Sequence, residues 1–540
     1  MTTIDTDPAA AAAESTATKG PARGRWIDDW EPENEQFWEA TGKRIARKNL
    51  AFSIFAEHLG FSIWVLWTIV VINLGNIGIT LSLPEQFWLT AVPNLIGSAL
   101  RIPYTFAVPR FGGRLWTGIS ASMLFIPALL LAIVVPSGWL AGLSHDAQFW
   151  VLLACAATAG VGGGNFSSSM ANISFFYPEG KKGFALGLNA AGGNLGVAVA
   201  QLLVPLVIIA GVPAAAVKLP AHDVHLAYAG LMWMPLIIVA AVGAWLYMDS
   251  LTQAKADTKA YVMALRHGQT WVMSILYIGT FGSFIGYSFA LPLVVKNTFP
   301  EFLGKHPFIA TYLAGLGFVG ALIGSVARPF GGWLSDRMGG AKVTLACFVG
   351  MGAFTACAIA GVNDHSFTLF FASYMAIFLF AGAGNGSTYR MIPCIFAALG
   401  RKEADEKGLD AAGTALSFKR QAAAVIGIAG AIGAFGGFLI QVAFRQASLS
   451  TVVEMTKATK PLQAALVKAT AAHDKLGIAH AKAELAATKA HVAAAHATWS
   501  IPALWVFLGA YVVFAVMTWF FYLRKSLAVE KVPSLAYASV

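Results

Sequence analysis

Charge is what this sequence has least of. Charged residues make up 12% of its 540 positions, against 57% hydrophobic ones, whereas soluble globular chains carry about 25% charge. So few charges cannot cover a soluble surface of this size, which excludes a soluble enzyme. The same apolar content excludes disorder for most of the chain. Cysteine is equally scarce: Cys155, Cys347, Cys357 and Cys394 all sit in apolar runs, so buried free thiols are expected and a disulfide framework is not. The first 48 residues hold no apolar core of the signal-peptide kind. No HExxH, GxSxG or phosphate-loop motif occurs, so neither a metal nor a cofactor is expected. The net charge of +10 reads as Lys and Arg gathered on one side of a membrane, with no implication of nucleic acid.

What the chain has in quantity is glycine (54) and tryptophan (16), the mark of closely packed transmembrane helices with aromatic anchors. A span needs about 20 mostly apolar residues. Twelve such stretches are found, near 50–75, 86–108, 115–135, 148–176, 184–211, 226–248, 270–295, 308–331, 342–361, 367–396, 414–442 and 501–523. The predicted organisation is a segment 1–48, a six-helix bundle 49–248, a polar linker 249–269, a second six-helix bundle 270–525 and a tail 526–540. Lys43, Arg44, Arg47, Lys48, Arg110, Arg114, Lys181 and Lys182 lie on one side of the membrane, while the opposite loops 136–147 and 362–366 hold no Lys or Arg. Both termini are therefore expected on the cytoplasmic face of the cell membrane. An insert at 449–499, rich in Ala, Lys and His, is expected on the outer side as a solvated helical hairpin. Its His473, His480, His491 and His496 are spaced poorly for a metal.

The two halves repeat. Arg101-IPYTFAVP-Arg110-F-Gly112-Gly113 ends the second span, and Arg328-PFGGWLSD-Arg337-M-Gly339-Gly340 ends the eighth. In both, an arginine precedes another by nine residues and a glycine pair follows. Nine residues of helix are about 13 Å, which places Arg101 and Arg328 near mid-membrane. Charges at that depth are costly and usually functional. Glu57 is the only clear carboxylate within the spans that could pair with them. Two arginines facing one cavity would instead hold a planar oxyanion in their donor forks.

A second repeat aligns Gly164-Asn165 and Ser167 with Gly384-Asn385 and Ser387, and leaves Arg390 as a third intramembrane cation. Glycine pairs at 192/196 and 433/437 in the fifth and eleventh spans suit close helix packing and sliding.

The stretch 162–201, GGGNFSSSMANISFFYPEGKKGFALGLNAAGGNLGVAVAQ, together with LYIGTFGSFIGYS (276–288) and AGNGSTYRMIP (383–393), resembles the NarK-like nitrate/nitrite porters of the major facilitator superfamily. The loop motif Gly332-WLS-Asp336-Arg337-M-Gly339 is similar to that of the superfamily, and Pro109 replaces the acid in the first-half copy. The resemblance implies an all-α membrane protein of twelve helices in two pseudo-symmetric bundles. It implies nitrate and nitrite as substrates and a monomer as the working unit. It also implies Arg101 and Arg328 as anion ligands, Asn189 and Tyr277 as neighbours, and Phe61 and Phe281 as rings that sandwich the flat ion. Arg110, Asp336 and Arg337 look like a cytoplasmic gating latch. The chain departs from the family at Val161, where some members carry an aromatic, in the length of 449–499, and at Glu57-His58.

Nitrate stays an anion near neutral pH, and an inside-negative potential opposes its uptake by about 2.3 kcal/mol per charge per 100 mV. Exchange for nitrite is electroneutral. Symport with protons needs a titratable group, for which Glu57 and His58 are the candidates and Arg390 an accessory. The residues lean towards symport and leave exchange open. An anion channel and a membrane sensor are the competing classes, and saturable counterflow separates a carrier from a pore.

Overall fold

The computed structural model describes residues 25–213, 223–254, 258–471 and 497–524, with isolated positions at 477–488 and 535. Among the described residues twelve helices of membrane-crossing length follow one another. The first half holds α1 (Glu35–Ile77), α2 (Leu83–Phe111), α3 (Gly113–Val134), α4 (His145–Phe176), α5 (Glu179–Ile208) and α6 (Ala227–Tyr247). The second holds α7 (Gly268–Thr298), α8 (Ala314–Met338), α9 (Gly340–Asn363), α10 (Phe367–Lys407), α11 (Ala411–Ser450) and α12 (Ile501–Leu523). Of these described helices, eleven are long and apolar enough to cross a membrane. The other, α2, is 29 residues long but is diluted by Arg101, Arg110, Asn94 and internal Pro93, Pro103 and Pro109.

The halves pack by one rule. Helix α1 lies on α5, α2 on α4 and α3 on α6; in the second half α7 lies on α11, α8 on α10 and α9 on α12. Between halves, α2 meets α11 and α5 meets α8, which is one contact used twice under a pseudo-twofold relation. The repeated glycine pair makes equivalent turns. Gly112 (φ 80°) caps α2 and Gly339 (φ 91°) caps α8, a left-handed region that side chains avoid. This end, called the motif end below, also carries the linker helix Thr258–Arg266 and a short parallel pairing of Trp26–Ile27 with Ser250–Leu251.

Polarity is inverted relative to a soluble protein. Ile102 is 59% exposed on the outer face, while its neighbour Arg101 is 0% exposed. Cys155 and Cys347 are buried as expected, but Cys357 is exposed and Cys394 partly so, because α9 and α10 turn those faces outward. The described cysteines are free. The helix of α11 continues unbroken from Ala411 to Ala471, into the insert, and most of the rest of the expected hairpin lies outside the described residues. His473, His491 and His496 lie outside the described residues. His480 sits 3.7 Å from Glu484, one helical turn away, and among the described residues no group of His, Cys, Asp or Glu could hold a metal ion.

The paired glycines bring backbones together. A Cβ on Gly196 would meet the carbonyl of His58, and the Ser62 hydroxyl there donates to the carbonyls of His58 (2.8 Å) and Gly196 (3.0 Å). A Cβ on Gly433 would meet the Tyr277 ring, and one on Gly437 would meet Asn94 and Ile285. At Gly192 the nearest atoms to such a Cβ belong to the Ile54 side chain. Gly196→Ala should therefore destabilise the protein by about 1–3 kcal/mol, since a backbone oxygen cannot rotate aside. Gly192→Ala should cost less. Thermal unfolding of the purified variants in detergent checks the order.

Candidate functional site

Arg101 and Arg328 enter the centre from α2 and α8, and both are buried. The Arg101 Nε donates to the Gly163 carbonyl (3.1 Å) on α4, and its Nη1 donates to the Gly430 carbonyl (2.8 Å) on α11. The first of these contacts stays within its half and the second crosses to the other. The Arg328 Nη2 donates to the Tyr277 hydroxyl at 3.4 Å. Arg101 Nη2 and Arg328 Nη1 are buried without a partner. Among the described residues neither guanidinium forms an ion pair. Two buried cations with no carboxylate bonded to them and a partnerless nitrogen each are the makings of an anion site.

Aromatic faces replace the missing carboxylates. The Arg101 guanidinium lies 4.6 Å from the Phe166 ring and 4.8 Å from Phe281; Arg328 lies 5.6 Å from the same Phe166 and 5.5 Å from Tyr389. Ring faces attract desolvated cations without neutralising them, so the pair stays electropositive. Tyr277 and Phe281 stack at 5.5 Å and 14°. The stretch Ile278–Gly282, which holds Phe281, is a π-helical turn, a distortion common at functional sites.

The structure thus brings together Arg101, Arg328, Tyr277 and Phe281. It moves Phe61 one layer back: its ring meets Phe166 (6.2 Å) and Trp64 (5.4 Å). Phe166 stands between the two arginines instead, stacked at 6.0 Å on Phe281. A signal for it existed. In the repeat that aligns Asn165 with Asn385, Phe166 falls on Gly386, so one half supplies a ring where the other packs backbone against backbone. A Cβ on Gly386 would meet the Arg328 carbonyl.

Asn189 is fully buried on α5. Its Nδ2 donates to Glu57 Oε2 (2.9 Å) and to Ser169 Oγ (2.6 Å), so its donors serve a carboxyl group. His58 is half-buried, and its Nδ1 bonds the Gly192 carbonyl at 3.0 Å, pinning α1 to α5. Arg390 is no intramembrane cation. It is half-exposed at the motif end of α10, and its Nε donates to Asp336 Oδ1 at 2.5 Å.

Arg337 lies instead over Trp333 (4.2 Å), and Arg110 over Phe111 (5.6 Å). The acid of the loop motif therefore ties α8 to α10 in the second half, where Pro109 leaves the first half without an equivalent. Both partners are about half exposed, so Asp336→Asn should change stability by less than about 1 kcal/mol. If the pair holds one gating state, the variant should alter turnover. Melting temperature and uptake rate of one preparation separate these effects.

Two six-helix bundles related by a repeat, with one buried arginine from each meeting at a common ring, make up the fold of a multi-pass membrane transporter. The profile of the Major Facilitator Superfamily matches residues 50–441, and the chain belongs to that family. It is similar to the nitrate/nitrite transporter NarU of Escherichia coli (strain K12), at 39% identity over 430 residues, covering 77% of this chain and 89% of that protein. The probable nitrate/nitrite antiporter NarK2 of Thermus thermophilus is 34% identical over 433 residues, with 77% and 89% covered. Among solved structures, a bacterial homolog of the human lysosomal transporter Spinster, inward-facing and occupied, shares the fold. Its TM-score is 0.58 at 17% identity, over 87% of this chain and 95% of that one.

Proposed function

We propose that the protein carries nitrate and nitrite across the cytoplasmic membrane by alternating access, with Arg101 and Arg328 as the anion ligands. The observation that supports this most directly is the pair of partnerless guanidinium nitrogens, Arg101 Nη2 and Arg328 Nη1, buried around Phe166. The similarity to NarU and NarK2 agrees with it. In this reading a planar oxyanion lies between the two forks, Tyr277 steadies Arg328, and Phe166 and Phe281 exclude water. Each chain holds both halves of the site, so a monomer suffices. The motif end and both termini face the cytoplasm, in keeping with the Lys and Arg excess of those loops.

For coupling we favour proton symport, because a buried carboxyl, Glu57, lies beside the site. Exchange of nitrate for nitrite is the second reading. It is favoured by the lack of a carboxylate bonded to the arginines, since two bare cations oppose closure until an anion joins them. Uptake of labelled nitrate into proteoliposomes, with internal nitrite and the pH gradient varied independently, tests both. Saturable uptake that rises with an acid exterior supports symport, and uptake that needs internal nitrite supports exchange. Absence of nitrate and nitrite transport under all four conditions would overturn the proposal.

A further inference from the structure

We infer that Glu57 is a proton-binding site built into the first half of the protein, occupied together with the anion at the arginine pair. The inference rests on the reading above and specifies its coupling. Glu57 is fully buried in α1, and its pocket is assembled from three helices. Oε2 accepts from Ser169 Oγ of α4 (2.5 Å) and from Asn189 Nδ2 of α5 (2.9 Å). Ser169 Oγ is 2.9 Å from Ser53 Oγ and accepts from Asn189 Nδ2. A Cβ on Gly193 would collide with the carboxyl group, so that glycine makes the space in which the group sits.

Hydrogen-bond accounting shows what the pocket lacks. One Ser169 hydroxyl, one Ser53 hydroxyl and the two protons of the Asn189 amide are all engaged within it. Two acceptors, Glu57 Oε1 and Asn189 Oδ1, are buried with no donor. The network is short of a hydrogen, and a proton on the carboxyl supplies one. Among the described residues no cation is bonded to Glu57.

The charged and titratable groups that bear on Glu57 are Arg101 from α2, Arg328 from α8 and Tyr389 from α10, all within electrostatic range. The helices packed directly on it, α4 and α5, face it with the neutral Ser169, Asn189 and Gly193. On α1 itself, His58 is bonded to the Gly192 carbonyl. Bare arginines favour the carboxylate, whereas arginines neutralised by an anion cease to do so. Anion and proton therefore favour each other's binding, and by linkage the effect is reciprocal.

A polar stripe leads outward. Asn49, Ser53 and Glu57 recur every four residues along α1, and all are buried, spanning about 12 Å. At the motif end Asn49 Nδ2 donates to Asp249 Oδ2 (3.1 Å), which also pairs with the half-exposed Lys48 at 2.7 Å. One carboxyl carries one proton per anion, so the transported complex is neutral.

Proteoliposomes holding a pH-sensitive dye test this. With the wild type, external nitrate should acidify the lumen. An acid exterior should speed uptake about tenfold, with no response to a potassium–valinomycin potential and none to replacing sodium with choline. Glu57→Gln should lose the acidification and the pH response while keeping nitrate/nitrite counterflow within about twofold of the wild type. Ser169→Ala, which removes one donor to the carboxylate, should shift the pH profile of uptake and keep counterflow. The inference is overturned if Glu57→Gln still acidifies the lumen, if sodium removal stops uptake, or if Ser169→Ala leaves the pH profile unmoved. If Glu57→Gln does not fold, shown by loss of nitrate-dependent thermal stabilisation, the Ser169→Ala profile decides. Failure of the wild type to move nitrate at all refutes the transport reading instead.

Discussion

Arg101→Lys and Arg328→Lys should each lower nitrate uptake by about 100-fold or more, although each keeps a positive charge. A charge-assisted hydrogen bond contributes about 1.5–3 kcal/mol, and a planar oxyanion in a guanidinium fork gains two with fixed geometry. Lysine offers a strongly hydrated point charge on a flexible stem. The loss at Arg101 should be compounded. Its Nε and Nη1 already bond the Gly163 and Gly430 carbonyls, so its fork also joins the two halves, and an ammonium cannot reach both carbonyls and the anion. Initial rates of labelled uptake over a range of nitrate concentrations, normalised to folded protein, measure the effect. Uptake within tenfold of the wild type in both variants would refute the two-arginine site.

Phe166→Ala should cost nearly as much by a different route. Both arginines lean on this ring, at 4.6 and 5.6 Å, and the ring stacks on Phe281. Truncation opens a cavity between two cations. Burial loss alone costs about 3–5 kcal/mol for a Phe→Ala change in a core, and water admitted to the gap would solvate the arginines and weaken their hold on an anion. Phe166→Leu separates the two effects, keeping most of the apolar volume while removing the ring face. It should fold with a melting temperature near the wild type and still lose about tenfold in uptake, in line with the ~1–2 kcal/mol of a desolvated cation–π contact. Phe61→Leu, one layer behind, should be nearly neutral in uptake. Equal losses at the two positions would place the anion differently.

Much of this arrangement was legible beforehand. Membrane helices announce themselves locally, because about 20 apolar residues suffice to define one. The Arg-x8-Arg-x-Gly-Gly spacing, met twice, placed Arg101 and Arg328 at equivalent depths, and the glycines at 112 and 339 marked turns that need a positive φ. Hydropathy alone does not fix the depth of Arg390, because α10 runs on to Lys407 and the Asp336 contact draws Arg390 towards the motif end. Phe61 and Phe166 are both buried phenylalanines on apolar helices, and nothing local tells which of them touches a cation.

By itself the sequence determined the membrane setting, the two six-helix halves, the repeat and the identity of the two central arginines. The spans follow from residue type within single segments, and the repeat with its arginines from comparing two segments. The tertiary structure decided which groups meet: Arg101 with a carbonyl 329 residues away on α11, Phe166 between two helices of opposite halves, Asn189 with Glu57, and Arg390 with Asp336. In helices that are apolar on nearly every face, composition does not single out the inward side. Close packing against other helices selects it, and those partners lie far along the chain.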